Sequence, residues 1–563
     1  MTVNDAIIDG IENDIKEILF AYLKAESFTN TAKEKEAEKF FLDYFSKIPY
    51  FKNTPDSFGA YPIDNDVFDR SVSYAFLKGE GEDTVVFVHH NDVVSVEDFK
   101  LLKDFAFSPD ELKEELLKIK DTLGENAQKD LIDDTFLFGR GVCDMKGGGS
   151  IQIALLKRYS ELKNFKGNIV LIAVPDEENL SAGMRSAVKL LYELKEKHQL
   201  NYRMMINSEP HQRKDFSQGI FSEGSVGKLM PFVYVRGALA HAGKVFEGLN
   251  PLNIMSCIVR KTELNMRLSD IVRDETSPPP TWLYLRDGKN KYDVSMPLSV
   301  KGCFSILTLH QTPQSILKEV KYICAEAFDE VIKDMNKSHV EFTEITKIPY
   351  KKLPWETKVA NFSELYQEAK EKYGKKFTEK YSNKMDELSH KFKYNEISMI
   401  EANFDLIELI YEYIDDVSPR IIYGLIPPYY PNTSNINFDS LDTEIKNISE
   451  ELNKFTKEQF DQTYTKEYFY TGISDLSYTG IVNGQEIISA LRLSMPLYGK
   501  LYDIPVDTIE KISMPCINIG PWGKDFHKLT ERVFNEDLYI RTPRILNHAV
   551  CLILNNNKNQ HKF

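Results

Sequence analysis

Apolar residues recur at helical spacing over residues 7–23 and again over 33–45, so two helices open the chain. The pattern then changes period. Residues 84–89 (TVVFVH) form a compact β-branched and aromatic run, the signature of a buried strand, which ends in HHNDVV. Residues 108–123 read as a polar-faced helix or loop insertion. A short apolar piece at 135–138 leads into FGRGVCDMKGGGS, and an apolar helix is predicted over 151–162. A second buried strand, 168–174, ends in PDEEN; a helix follows at 185–195, and a third short strand, 203–207, stops at Ser208, Glu209 and Pro210. Strands alternating with helices, with polar groups at the strands' carboxyl ends, predict an α/β fold whose ligands gather at that edge.

From Gly227 the texture changes. An amphipathic strand, the stretch ALAHAGKVFEGLN and a helix over 251–264 precede strand-like pieces at 282–286 and 303–309 and a helix over 313–335. The order β-α-β-β-α-β predicts a separate small α+β domain inserted in the first. Residues 361–416 are polar and helical in period, and their mixed charge reads as a solvated helix face. The remainder returns to strand-like pieces and loops and closes on a polar tail, NNNKNQHKF, expected to fray. The expected division is therefore 1–226 for the first part of a catalytic domain, 227–341 for the insert, and 342–563 for the second part, including the helical stretch at about 361–416.

Composition narrows the class. The 563 residues are 42% hydrophobic and 28% charged, ordinary globular material. A net charge of −15 argues against a nucleic-acid partner, which wants a basic face. Six scattered cysteines contain no C-x-x-C pair, so neither a disulfide framework nor a thiolate zinc site is suggested. The acidic, amphipathic N-terminus is not a signal peptide, and no apolar run is long enough to span a membrane. A cytoplasmic protein without a membrane partner is expected.

Asp144 stands between two glycine clusters, where the backbone can take unusual dihedrals and approach a ligand closely. With His90, Glu178, Glu209 and His527 it makes a set of two imidazoles and three carboxylates, which suits zinc, manganese or cobalt rather than iron–sulfur or copper(I). In H-x-D, Asp92 can orient the His90 ring through its other nitrogen. In D-E-E, Glu177 and Glu178 point to different sides and divide into a base and a ligand. Three other features read as structural. GGGS has its lysine before the glycines, where a phosphate loop needs it after. Cys143 has no local histidine to activate it, and the prolines and tyrosines of PPYYP make a rigid turn as readily as a pocket wall.

The motifs HHNDVV, FGRGVCDMKGG, VPDEENLSAG, NSEPH, RGALAHAG with GLNPLNI, TGISDLSY and MPCINIGPWGKDFHKLTERV occur in the order seen in the M20 peptidase family, that of aminoacylase, carboxypeptidase G and succinyl-diaminopimelate desuccinylase. The chain resembles this family from His89 to Val533, and its length, PPYYP segment and helical insertion resemble most the arginine-utilisation, RocB-like branch. The resemblance implies an α/β fold: a mixed-sheet, two-metal, aminopeptidase-like catalytic domain with an inserted smaller α+β (ferredoxin-like) lid or dimerisation domain. It implies a metallopeptidase or amidohydrolase with two divalent ions, zinc or alternatively manganese or cobalt. Asp144 would bridge them, His90 and Glu209 completing one site, Glu178 and His527 the other. Asp92 would orient His90, Glu177 would be the general base, and His241 would reach the active site of a partner subunit and stabilise the oxyanion. The Asp144–Met145 peptide would be cis, and a homodimer would form through the insert.

The chain also departs from the family. The loop after Glu178 is NLSAG, without the glycine often found directly after the glutamate pair; His211 adds a polar group beside Glu209, unless it is a solvated loop residue; Leu307 stands where an arginine often binds the substrate carboxylate. The expected reaction is hydrolysis of an amide or peptide bond in a small substrate, an N-acyl amino acid, a dipeptide or an arginine-related compound. A non-catalytic protein binding an amino-acid derivative is the alternative, and a missing ligand would have been its mark.

Overall fold

The run at 84–89 lies at the centre of a mixed eight-stranded sheet in the computed structural model, which describes residues 7–213, 217–289 and 291–554. The sheet's strands are β1 (Phe58–Pro62), β2 (Ser71–Lys78), β3 (Glu80–His90), β4 (Lys166–Val174), β5 (Asn201–Asn207), β6 (Gln218–Ser222), β7 (Thr463–Glu467) and β8 (Cys516–Asn518), in the spatial order β1-β2-β4-β3-β5-β8-β6-β7. β4, β3, β5 and β8 run parallel, so His90, Val174, Asn207 and Asn518 all end at one edge. Residues 84–90 of β3 are all buried, as a strand covered on both faces must be. The polar groups that follow these strands therefore share a rim.

Helices pack along this sheet much as their periodicity predicts. The first expected helix is broken at Gly10, whose left-handed conformation (φ 68°) separates the helical residues 7–8 from the helix Ile11–Leu23. Glu34–Phe45 and Ala182–His198 lie where expected, the stretch at 108–123 forms the helix Pro109–Lys118, and a further helix, Glu125–Ile132, follows. The helix expected from residue 151 starts earlier, at Lys146, and takes GGGS into its first turns. Side chains there have no room: a Cβ at Gly147 would lie 2.2 Å from the Val142 carbonyl oxygen, at Gly148 2.1 Å from that of Ser208, and at Gly149 2.6 Å from the His89 ring. The glycines serve close approach of helix, loop and strand, not a phosphate.

The chain divides into two compact units, one of residues 1–225, 433–482 and 505–563, the other of 226–432 and 483–504. In the second, Pro231–Arg236, Thr281–Asp287, Ser299–Thr308 and Arg420–Leu425 form antiparallel pairs in the spatial order second, third, first, fourth, with Val359–Asn361 parallel beyond the last. That is a β-α-β-β-α-β sheet, with helices Pro251–Thr262 and Pro313–Thr346 as its connections. The expected boundary at residue 341 is thus displaced. The fourth strand lies beyond the helical stretch, at Arg420–Leu425, so 342–432 pack with the insert rather than with the catalytic unit. Helices Phe362–Lys393 and Met399–Tyr411 begin at capping boxes, Asn361 with Glu364 and Ser398 with Glu401. Their apolar faces, through Leu365, Phe377, Phe404 and Ile407, cover Phe232, Tyr234 and Ile422 of the sheet. The tail at 555–563 lies outside the described residues.

Candidate metal centre

His90 is the last residue of β3, buried to 1% exposure. Its Nε2 lies 3.0 Å from Asp144 Oδ1 and 3.6 Å from Glu209 Oε1. The other carboxylate oxygen of Asp144 lies 3.1 Å from His527 Nε2, which is 2.8 Å from Glu178 Oε1. Among the described residues the potential ligand atoms fall into three groups: His90 with Asp144 and Glu209, Asp144 with Glu178 and His527, and His90 with Glu177 and Glu178. All five candidate ligands and Glu177 thus converge, from the ends of β3, β4 and β5, the loop before helix Lys146–Ser160, and the loop after β8.

Backbone conformation aims these side chains. The Asp144–Met145 peptide is cis, and Asp176, just before Glu177, and His527 both have positive φ, 68° and 62°. Asp92 has a broader part than its spacing suggests. Its backbone carbonyl, at 3.0 Å, is nearer to His90 Nδ1 than its carboxylate, at 3.5 Å. The carboxylate oxygens accept the N–H groups of Glu177 at 3.1 Å and Glu178 at 3.2 Å, which fixes the turn carrying both glutamates.

The electrostatics describe a site short of positive charge. Burial pushes Glu177 and Glu209 well above the usual carboxylate range, and the neighbouring acids push the same way. Asp144 goes the other way: although burial raises it, its hydrogen bonds to His527 and His90 hold it below that range. His527 is raised to about 10 by Asp144 and Glu178. Carboxylates that are buried or nearly so, with the buried His90 and the exposed His527 at ligand distance, fit divalent cations on nitrogen and oxygen donors, because such ions would neutralise what burial and repulsion penalise.

Other candidates are placed differently. His211 is no solvated loop residue: it is 3% exposed, its Nδ1–H donates to the Gly520 carbonyl at 2.9 Å, and its Nε2 accepts from Arg213 Nε at 3.1 Å. Burial and Arg213 pull it down to about 3, so it stays neutral with both nitrogens occupied. His241 belongs to the second unit, is exposed, and accepts the Gly243 N–H at 3.0 Å. Leu307, half-buried in the same unit, stands across from Lys228 in the sheet register. The PPYYP segment is also there, with Tyr429 and Tyr430 buried and the Tyr502 hydroxyl donating to the Tyr429 carbonyl at 2.9 Å, a structural turn. Cys143 is buried beside Gly523.

A cavity of about 420 Å³ opens over the carboxylates, walled by Tyr470, Ile473, Phe526 and His211. Tyr470, whose hydroxyl donates to the Pro210 carbonyl at 3.3 Å, and Ile473, held at φ 64°, carried no periodicity or charge signal that marks them as walls. Arg213, whose side chain is buried against Asp537 at 2.6 Å and donates to His211, was likewise not marked by the sequence.

Comparison with known proteins places the chain in a family. A model of peptidase family M20/M25/M40 matches residues 120–475. The Bacillus subtilis protein YqjN, described as uncharacterised, is 29% identical over 547 residues, 96% of this chain and 97% of that one. Protein RocB of the same organism is 27% identical over 547 residues, covering 96% and 95%. Two solved structures share the fold: aminopeptidase PepT of Bacillus cereus, with 12% identity, TM-score 0.51 and coverage of 97% and 99%, and the dipeptidase Dug1p of Saccharomyces cerevisiae, with 12% identity, TM-score 0.52 and coverage of 98% and 98%.

Proposed function

Since the chain belongs to peptidase family M20/M25/M40 and is a metallopeptidase-type hydrolase, we propose that it cleaves an amide or peptide bond of a small substrate at the rim of the eight-stranded sheet. The substrate class is an N-acyl amino acid, a dipeptide or an arginine-related compound. The observation that carries this reading is Asp144, whose two oxygens face imidazoles from two different segments at 3.0 and 3.1 Å. His90 and Glu209 complete one ligand set, Glu178 and His527 the other. Two divalent ions, zinc or alternatively manganese or cobalt, would polarise the scissile carbonyl and lower the pKa of a water. Glu177 is the general base: it takes the proton from the attacking water and passes it to the leaving amine nitrogen. Asp92 holds Glu177 and Glu178 through their N–H groups and backs the His90 ring. His241 of one copy is assigned the oxyanion in the active site of a second copy, as the family resemblance implies.

A cytoplasmic homodimer completes the proposal. No helix of the described residues is long and apolar enough to cross a membrane, and all six cysteines are buried thiols outside any disulfide. Strand Thr281–Asp287 stands at the end of its sheet with Leu283 and Leu285 about half exposed, at 52% and 53%, an edge open to pairing with a second copy.

The test joins metal content to turnover. Elemental analysis should find two transition-metal equivalents in the wild type and a loss in Asp144→Ala. Glu177→Gln should keep its metal and lose turnover on acylated amino acids and dipeptides by roughly 10²–10⁴-fold, the span of general acid–base catalysis. Wild-type turnover in that variant would sink the mechanism.

A further inference from the structure

The loop that carries Asp144 is gripped by a carboxylate with no part in the reaction just described. Glu531 is fully buried. Its Oε1 accepts the backbone N–H of Gly141 at 2.8 Å and those of Asp144 and Cys143 at 3.3 and 3.4 Å. Its Oε2 pairs with Arg140, which also donates to Asp98 at 3.1 Å and to the Ser95 carbonyl at 3.2 Å. The Gly139 N–H donates to the carbonyl of Glu531 itself at 3.1 Å. One residue therefore holds the Asp144 loop at both of its ends.

The same segment presents His527. Between His527 and Glu531 the chain makes a tight turn: the Lys528 N–H donates to the Asp525 carbonyl at 3.1 Å, and the Glu531 N–H donates to the Lys528 carbonyl at 2.9 Å. Thr530 and Arg532 both bond the Asp525 carboxylate. Immediately afterwards Arg532–Phe534 pairs antiparallel with Phe136–Phe138, the strand that leads into the Asp144 loop. Two ligand-bearing segments far apart in sequence are thus joined by a short ladder and, at its end, by one carboxylate. Three N–H groups converging on a single oxygen orient the peptide planes up to Asp144, and so the direction in which its side chain leaves the loop. A pair of metal sites tolerates displacement of its ligands by only about half an ångström.

We propose that Glu531 is a positioning residue for the metal centre: it ties the His527 segment to the Asp144 loop and sets the spacing at which Asp144 serves both sites. The proposal rests on the two-metal reading above. Its content is that an acceptor oxygen at this position is required. A role confined to balancing the buried charge of Arg140 requires only the ion pair.

Two double variants separate these roles, since both remove the two buried charges together and leave no lone ion in the interior. In R140M/E531Q the amide oxygen can still accept the loop N–H groups. In R140M/E531L, of similar shape, nothing can. The full-length chain, stripped with a chelator, is titrated with Mn²⁺ by calorimetry, and thermal unfolding is followed in the chelator. The wild type is expected to take up two equivalents. R140M/E531Q should stay within about threefold of wild-type affinity, while R140M/E531L should lose roughly 10–100-fold, the usual effect of removing a group that orients a metal ligand. Without metal the two should unfold within a few degrees of each other. Equal affinity in both variants, at or below the wild-type level, would overturn the proposal, as would a leucine variant that unfolds far earlier in chelator, which would make Glu531 a support of the fold. A wild type that takes up no Mn²⁺ would overturn the two-metal reading itself.

Discussion

Asp92 shows how much one side chain can carry at a strand end. Its two oxygens accept the N–H groups of Glu177 and Glu178, and its backbone carbonyl backs His90, so three groups of the centre depend on it. Asp92→Ala frees the glutamate turn and removes a buried charge from beside the His90 ring. Metal affinity should fall by roughly 10–100-fold, with turnover falling further because Glu177 is no longer aimed. Asp92→Asn keeps one acceptor oxygen and should lie between. Affinity and turnover measured together decide the matter, and an alanine variant with wild-type values of both would refute it. The H-x-D spacing suggested an orienter for His90, but the hold on the D-E-E turn was not visible, because the N–H groups that Asp92 accepts lie 85 and 86 positions further along the chain. His211 is a similar case. Its neighbours in sequence describe a polar loop, whereas its burial is set by Gly520 and Arg213.

At the scale of elements, the helix Lys146–Ser160 is the piece whose placement determines most. Its glycines let it lie against the Ser208 carbonyl, one residue before Glu209, and against the ring of His89, one residue before His90. Gly148→Ala puts a methyl group 2.1 Å from a backbone oxygen that cannot rotate away. We expect it to cost about 1–3 kcal/mol, as overpacking does, and to shift Glu209 enough to weaken metal uptake. Denaturant unfolding with a parallel metal titration measures both; an alanine variant as stable as the wild type would show that the helix has slack. The strands at 84–89, 168–174 and 203–207 and the helices that open the chain were legible because period and β-branching are local properties. In contrast, β1, β2, β6 and β7 were not read, and the stretch after residue 420, read as strand-like pieces and loops, also carries the helices Ile448–Phe460, Gly484–Ser494 and Thr542–Ile553. The helix start at Lys146 was not legible either. Glycines normally argue against a helix, and here the reason for them lies across the fold.

The whole molecule consists of two units with separate cores, and all five candidate ligands belong to one of them. Chelation should therefore act on one unfolding transition. If the ions bind at a hundred times their dissociation constant, each stabilises the folded form by about 2.7 kcal/mol. Calorimetry with and without chelator should show one transition move down and the other stay. Both moving together, or neither, would contradict the assignment of ligands to a single unit. On the second unit, Leu283→Asp places a charge on the open edge strand and should shift a dimer toward monomer in sedimentation, without altering metal content; an unchanged sedimentation coefficient would remove that edge from the proposed interface.

By itself the sequence determined the chemical inventory and the class: the nitrogen–oxygen donor set, the acid pair, the α/β alternation, and the family order of motifs from His89 to Val533. These depend on residue type, short spacing and local period, which a chain states directly. Only the tertiary structure decided that Glu531 grips the Asp144 loop, that both nitrogens of His211 are occupied, and that the insert takes its fourth strand from Arg420–Leu425. Each of these is a contact between segments widely separated along the chain. Hydrogen bonds and close packing of that kind are set by which elements become neighbours, and no local pattern in the residues records it.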